Sequence, residues 1–321
     1  MLQKMITLHR MKLASNNRIP ELDLLKCLFI TLMVMFHLAY FSQLHPYAHE
    51  IVYSFHMPGF LLISGYLMNL RKEPAKFLRY ILFLLIPYLI MESGYIIMAS
   101  ILPINEHIDG LTPSLFLNKL LLNPTGPYWY LQTIIICELI AYGTTKTTQS
   151  NSLDCMLICA ILFYLISLAL SKFSFVYSLY FLAGFIIRQS DRGFMEVIRP
   201  WALSIIPFAA LCLSPETINP KWMLPAYFAI STALWLCRFI KGRLSAFLQF
   251  IGRNSLVIYI FSPIFTILCK QLIPLFKADA TGLLFAFIST PLCIAGSLGI
   301  GKLLDMMKIS PLMFGKEKSV A

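Results

Sequence analysis

The sequence predicts an all-α polytopic membrane protein with about ten transmembrane helices and both termini in the cytoplasm. Three observations predict it. First, 58% of the 321 residues are hydrophobic and only 13% are charged, with a mean hydropathy of +0.75; soluble domains sit near ~45–50% apolar and ~25% charged. Second, apolar windows of about 17–25 residues, the length that crosses a bilayer, recur along the chain. Third, lysine and arginine alternate between successive loops. With the N-terminus inside, 21 of the 26 basic residues fall on the cytoplasmic side, and only Lys119, Lys172, Lys221, Lys270 and Lys277 fall outside. A missed span would invert every later loop and destroy that bias.

The windows are 22–42, 51–70, 77–101, 127–145, 153–171, 174–190, 199–213, 222–238, 254–273 and 282–304. Residues 1–17 read as a cytoplasmic tail, since they lack an apolar stretch followed by a small-residue cleavage site. Residues 18–308 form the transmembrane domain and 309–321 a cytoplasmic C-terminal tail. No polar stretch is long enough for a separate soluble domain. The net charge of +11 would point to nucleic acid in a soluble chain; distributed over one set of loops, it points to membrane orientation, and no nucleic-acid partner is expected. The eight cysteines lie mostly in apolar runs without CxxC or zinc-finger spacing, so neither a metal site nor a disulfide framework is expected.

The first window, "LDLLKCLFITLMVMFH" (22–37), carries Asp23, Lys26 and His37. An ionisable group in lipid costs several kcal/mol, so such residues face protein or a watery cavity. Eleven residues separate Lys26 from His37, close to three helical turns, which puts both on one face about 16 Å apart along the axis. The bland alternative is a snorkelling lysine and a packed histidine. The second window enters as "YSFHMPGFLLISGYL" (53–67), placing His56 near the depth of His37. Ser64 lacks the GxSxG frame of a serine nucleophile, and with Gly65 it reads as a close-packing pair.

The third window, "KFLRYILFLLIPYLIMESGY", has Lys76 and Arg79 at its cytoplasmic end and Glu92 about 20 Å further along. Residues 102–126 form the longest outer connection, with a short helix expected around 114–122. The fourth window opens "GPYWYLQTIIICELI", with Trp129 at the outer interface and Glu138 near mid-membrane. Buried acids each need a partner or a proton. Residues 241–253, "KGRLSAFLQFIGR", alternate basic and apolar residues as an interfacial amphipathic helix does.

These segments together resemble the acyltransferase-3 membrane family, and the second-window motif is closest to the subgroup described as fucose 4-O-acetylase-like. "LDLLKCLFITLMVMFH" is similar to the family opening, with Lys26 where arginine is usual. "FHMPGFLLISGYL", "RYILFLLIPYL", "PYWYLQTI", "YFLAGFIIR" (180–188) and "IGRNSLVIYIF" (251–261) match later landmarks in order, so that the resemblance covers roughly residues 18–305. One departure is "YIFSPIF", which puts Ser262 where many relatives carry histidine.

The resemblance implies an integral O-acyltransferase of the bacterial cytoplasmic (inner) membrane. It would move an acyl group, most often acetyl, from cytoplasmic acetyl-CoA to a hydroxyl of a cell-surface polysaccharide or lipid-linked sugar. Acetyl-CoA enters as donor substrate, and no resident cofactor is expected. On this reading Lys26, Arg71, Lys76 and Arg79 hold the donor's phosphates. His37 and His56 are catalytic, His37 either as general base or as transient acyl carrier. Glu92, Trp129, Glu138 and Ser262 are candidates for acceptor binding. The competing readings are a secondary transporter or flippase of a lipid-linked sugar, and a non-catalytic sensor. The absence of a visible internal repeat counts against transport.

Overall fold

A computed structural model describes residues 18–102, 106–148, 152–219, 222–276 and 278–320. The expected tail 1–17, with Lys4, Arg10 and Lys12, lies outside the described residues, as do Lys221 and Lys277. All regular structure among the described residues is helical. Three helices are long and apolar enough to cross a membrane by themselves: Pro74–Ile101, Ser255–Phe276 and Leu283–Met306. Shorter apolar helices lie at Leu153–Ala169, Phe175–Gln189, Ala202–Leu211 and Met223–Cys237.

Helix α1 (Pro20–Phe36) starts with proline at its first turn and Glu21 and Asp23 beside the helix N-terminus, where the missing N–H and the negative charges both suit the exposed backbone amides. It packs against helices from both halves of the chain and is the central helix of the bundle. That position explains why an acid and a lysine on α1 avoid lipid.

The first two windows differ from the expectation of two plain spans. Helix α1 stops at Phe36, Leu38 is extended (φ −72°, ψ 97°), and two short helices follow, α2 (Ala39–Leu44) and α3 (Pro46–Tyr53). Pro46 opens α3 and pushes the residue before it out of the helical region; His45 sits at φ −127°, ψ 58°. Helix α4 (His56–Leu67) then has only 12 residues, about 18 Å, with Pro58 tolerated in its first turn.

Helix α5 (Pro74–Ile101) is followed by α6 (Pro113–Leu121), whose N-cap Thr112 accepts from the Leu115 amide at 3.2 Å. After a 3₁₀ turn come α7 (Trp129–Thr147), α8 (Ser152–Ala169) and α9 (Phe175–Gln189). The window 199–213 is shorter than expected: past α10 (Phe194–Val197) it holds a 3₁₀ turn and the seven-residue α11 (Ile205–Leu211). The remaining helices are α12 (Met223–Cys237), α13 (Gly242–Arg253), α14 (Ser255–Leu268), α15 (Leu283–Met306) and α16 (Ser310–Phe314). Residues 310–320, expected as a tail, fold back onto the bundle, with Met313 and Phe314 buried.

Two close approaches fix the bundle. Where α4 crosses α9, a Cβ on Gly65 would strike the Phe181 carbonyl, and one on Gly184 would strike the Leu62 carbonyl. Where α13 crosses α1, a Cβ on Gly252 would strike the Asp23 carbonyl. Around this core, α8 turns Leu153, Leu157, Ile161, Leu165 and Leu168 outward, each more than half exposed. A stripe of that size belongs against lipid.

Candidate functional site

His37 sits at the C-terminal end of α1 and His56 opens α4. Each ring is tied in the same way: His37 Nδ1 lies 2.7 Å from the Met33 carbonyl, and His56 Nδ1 lies 2.7 Å from the Val52 carbonyl. A carbonyl only accepts, so Nδ1 carries the proton in both rings and each Nε2 keeps a lone pair. The break after α1 creates this geometry, because both histidines stand at helix ends and reach back to a carbonyl four residues earlier.

Tyr53 joins the two rings. Its ring centroid is 6.2 Å from that of His37 and 4.5 Å from that of His56, and its hydroxyl is 3.4 Å from His37 Nδ1. His49 also stacks on Tyr53, at 4.0 Å. Neither Tyr53 nor His49 was singled out from the sequence, although residues 49, 53 and 56 follow the i, i+4, i+7 stripe of a helix. His56 is fully buried and its Nε2 has no hydrogen-bond partner among the described residues.

A cavity of about 390 Å³ comes near this cluster without being lined by it: none of His37, His49, Tyr53 and His56 is on its wall. Its wall includes Met33, whose carbonyl anchors His37, and Met57, which follows His56. Tyr130 and Tyr259 also line it. Their segments are clasped together: the Tyr128 hydroxyl donates to the Ile260 carbonyl at 2.9 Å, and the Tyr259 hydroxyl donates to the Pro127 carbonyl at 2.5 Å.

The other end of the cavity is basic, with Lys26, Lys72, Arg253 and Lys316 on its wall. Lys26 Nζ pairs with Asp23 Oδ1 at 2.7 Å, while Asp23 Oδ2 takes Arg18 Nε at 2.9 Å. The glycine contact of α13 with the Asp23 carbonyl brings Arg253 beside this pair. Lys72 lies 3.6 Å above the Tyr80 ring. Burial holds its ammonium below the usual lysine range, with Glu138 acting against that shift and Lys316 adding to it.

The cavity thus gathers some of the expected residues and leaves others aside. Lys26 and Glu138 are on its wall, Glu138 accepting from the Tyr80 hydroxyl at 3.1 Å. Arg71, Lys76 and Arg79 are not; Lys76 pairs with exposed Glu73 at 3.0 Å, and the Arg79 guanidinium lies over Phe83. Glu92 is buried elsewhere, accepting from the Thr125 amide, and Trp129 packs against Tyr130 and Tyr177. Ser262 is buried on α14, one turn past Tyr259. Lys72, Arg253 and Lys316 were missed because only the tertiary fold selects them from among their basic neighbours.

The family model for this acyltransferase domain matches residues 19–302. The chain belongs to the acyltransferase-3 family. No curated protein and no solved structure matches it. For an acyltransferase-3 protein, a membrane acyltransferase, the chemical task is attack of an acceptor on an activated acyl group. Two imidazoles held through Nδ1, whose Nε2 atoms can accept a proton when the rings are neutral, are suited to that task. The charged residues on the cavity wall are Lys26, Lys72, Arg253, Lys316 and Glu138.

Proposed function

We propose that this acyltransferase transfers acetyl from cytoplasmic acetyl-CoA to a hydroxyl of a cell-surface polysaccharide or lipid-linked sugar, as an O-acetyltransferase of the bacterial cytoplasmic membrane. The observation that carries the reading is a cavity whose wall joins four basic residues to Met33 and Met57, the neighbours of two carbonyl-anchored histidines that themselves lie off the wall. The phosphates of the donor sit in the mouth that the four basic residues form, held by charge-assisted hydrogen bonds, and the pantetheine arm lies along α1. Its thioester then arrives beside Met33 and Met57, whose flexible side chains yield to it.

His37 Nε2 takes the proton of the acceptor hydroxyl as the oxygen attacks the thioester carbonyl; the C–S bond then breaks, and the proton passes to the sulfur of the departing coenzyme A. Alternatively His37 Nε2 takes the acetyl group first and passes it on. Both routes use the same lone pair. His56 Nε2 supplies a second acceptor for a hydroxyl at this site, which relieves the cost of leaving a buried polar atom unpaired. Glu138 falls on the donor side of this scheme. Glu92 and Trp129, away from the cavity, stay on the acceptor side, together with Ser262.

The direct test supplies acetyl-CoA labelled in the acetyl group to isolated membranes. Label should enter a membrane or polysaccharide fraction and be released by mild alkali, as an O-ester is. Alkali-stable label, or label independent of this protein, would sink the reading. The mouth is tested separately. Lys26→Ala should raise the acetyl-CoA concentration for half-maximal rate by about three- to tenfold with little change in kcat, since Lys26 is a donor contact partly neutralised by Asp23. Lys26→Arg should stay close to wild type, because guanidinium also binds phosphate. Superimposable donor titrations for wild type and Lys26→Ala would remove Lys26 from the donor site.

Orientation is tested by impermeant maleimide in a background in which half-buried Cys212 and Cys237 are replaced. A cysteine at exposed Asp109 should react only from outside, and one at Ala246, also exposed, only from the cytoplasm. The reverse pattern would place the cationic mouth on the side without acetyl-CoA.

A further inference from the structure

The family model ends at residue 302, but the wall of the cavity does not. Beyond it the chain finishes α15, turns through α16 and returns along the bundle as a strap. Asp305 ties the strap: its carboxylate accepts from the Ser310 hydroxyl, from the Ser319 amide at 2.6 Å and from the Val320 amide at 3.2 Å. Met313 and Phe314 are buried beneath it. Gly315 then adopts the left-handed region (φ 66°) against the Phe83 ring, which turns the next residue, Lys316, onto the cavity wall.

Lys316 shares the cavity wall with Lys72 and Arg253. Among the described residues none of these three has a carboxylate within ion-pair distance, in contrast to Lys26 with Asp23. Glu138 on the same wall offsets part of the positive charge without reaching ion-pair distance, and the repulsion between Lys316 and Lys72 is still felt at the Lys72 ammonium. An occupant with several negative charges turns that repulsion into attraction. Phosphate groups have this chemistry, and both lysine and arginine serve them.

We propose that the C-terminal strap is part of the donor site, delivering Lys316 as a phosphate-binding cation that completes a clamp with Lys72 and Arg253. This rests on the reading of a phosphorylated thioester donor. The strap therefore makes donor capture depend on a segment outside the matched domain, and Asp305 is a positioning residue for it.

The test uses the full chain in lipid nanodiscs. Coenzyme A should bind Lys316→Ala about tenfold more weakly than wild type and Lys316→Arg within about threefold of it. Asp305→Asn, which leaves Lys316 in place but loosens its tether, should also weaken coenzyme A binding. S-acetylpantetheine lacks the phosphates, so wild type and Lys316→Ala should use it with the same KM. Equal coenzyme A affinity in wild type and Lys316→Ala would overturn the clamp and leave the donor reading standing. A parallel loss of S-acetylpantetheine use would also overturn it, since the substitution would then act through folding. Failure of wild type itself to bind coenzyme A would overturn the donor reading, and the clamp with it.

Discussion

His37→Ala is expected to abolish acyl transfer, by about 10²–10⁴-fold if the ring acts as base and completely if it carries the acyl group. Folding should be spared. The ring is only half-buried, and the Met33 carbonyl it leaves still accepts from the backbone amide of residue 37 at 3.0 Å. Variant and wild type should therefore elute alike from a sizing column while differing in transfer of labelled acetyl. A stricter version moves the imidazole. Phe36→His combined with His37→Ala keeps the histidine at the same end of α1 but rotates it about 100° around the axis. It also gives up the Met33 anchor that fixes the proton on Nδ1. Activity in that double variant would show that neither direction nor tautomer matters, and the assignment of His37 would fall.

Gly184→Val is expected to have the largest effect on stability. The obstacle a Cβ would meet there is the Leu62 carbonyl, part of a backbone that cannot swing aside as a side chain can. Helices α4 and α9 must separate, and the facing contact of Gly65 with Phe181 opens with them. Overpacking of this kind costs about 3 kcal/mol, the upper part of the usual range. The expected result is a lowered melting temperature in detergent and a shift towards aggregate on size exclusion. Gly143→Ala is the control, because nothing lies within 4 Å of a Cβ added there. It should be neutral or slightly stabilising through helix propensity. Equal melting temperatures for Gly184→Val and wild type would show that the two helices do not pack as closely as described.

Much of this arrangement was legible from residue type alone. Asp23, Lys26 and His37 on one apolar helix announced a protein-facing surface, and α1 is indeed the central helix. The Ser64–Gly65 pair announced a close approach, which Gly65 makes against α9. Other features were hidden for physical reasons. Hydropathy averages over a window, so it passed smoothly through Leu38 and Ser54 and gave two continuous spans where the backbone breaks. The histidines owe their tautomer to that break. The mouth illustrates a second limit. Arg71 and Lys72 are neighbours of the same charge, and only the packing of α5 and α7 decides that Lys72, above Tyr80, faces the cavity. Lys316 depends on a tether from Asp305 and a left-handed glycine, neither of which has a periodic signature.

The short helices between His37 and His56 are held to the rest of the molecule in a particular way. The Tyr40 hydroxyl donates to the Asp279 carbonyl at 3.3 Å, His45 Nε2 to the Thr281 carbonyl at 2.7 Å, and the Tyr47 hydroxyl to the Cys212 carbonyl at 2.5 Å. Each donor is a side chain, and each acceptor is main chain. The receiving loops thus hold this segment through their course and not through their side chains. Substitutions at positions 212 and 281 that keep the backbone path leave these two attachments intact, whereas loss of the Tyr40, His45 or Tyr47 donor removes one outright. These receiving loops can therefore drift in sequence while the short helices between the two histidines stay where they are.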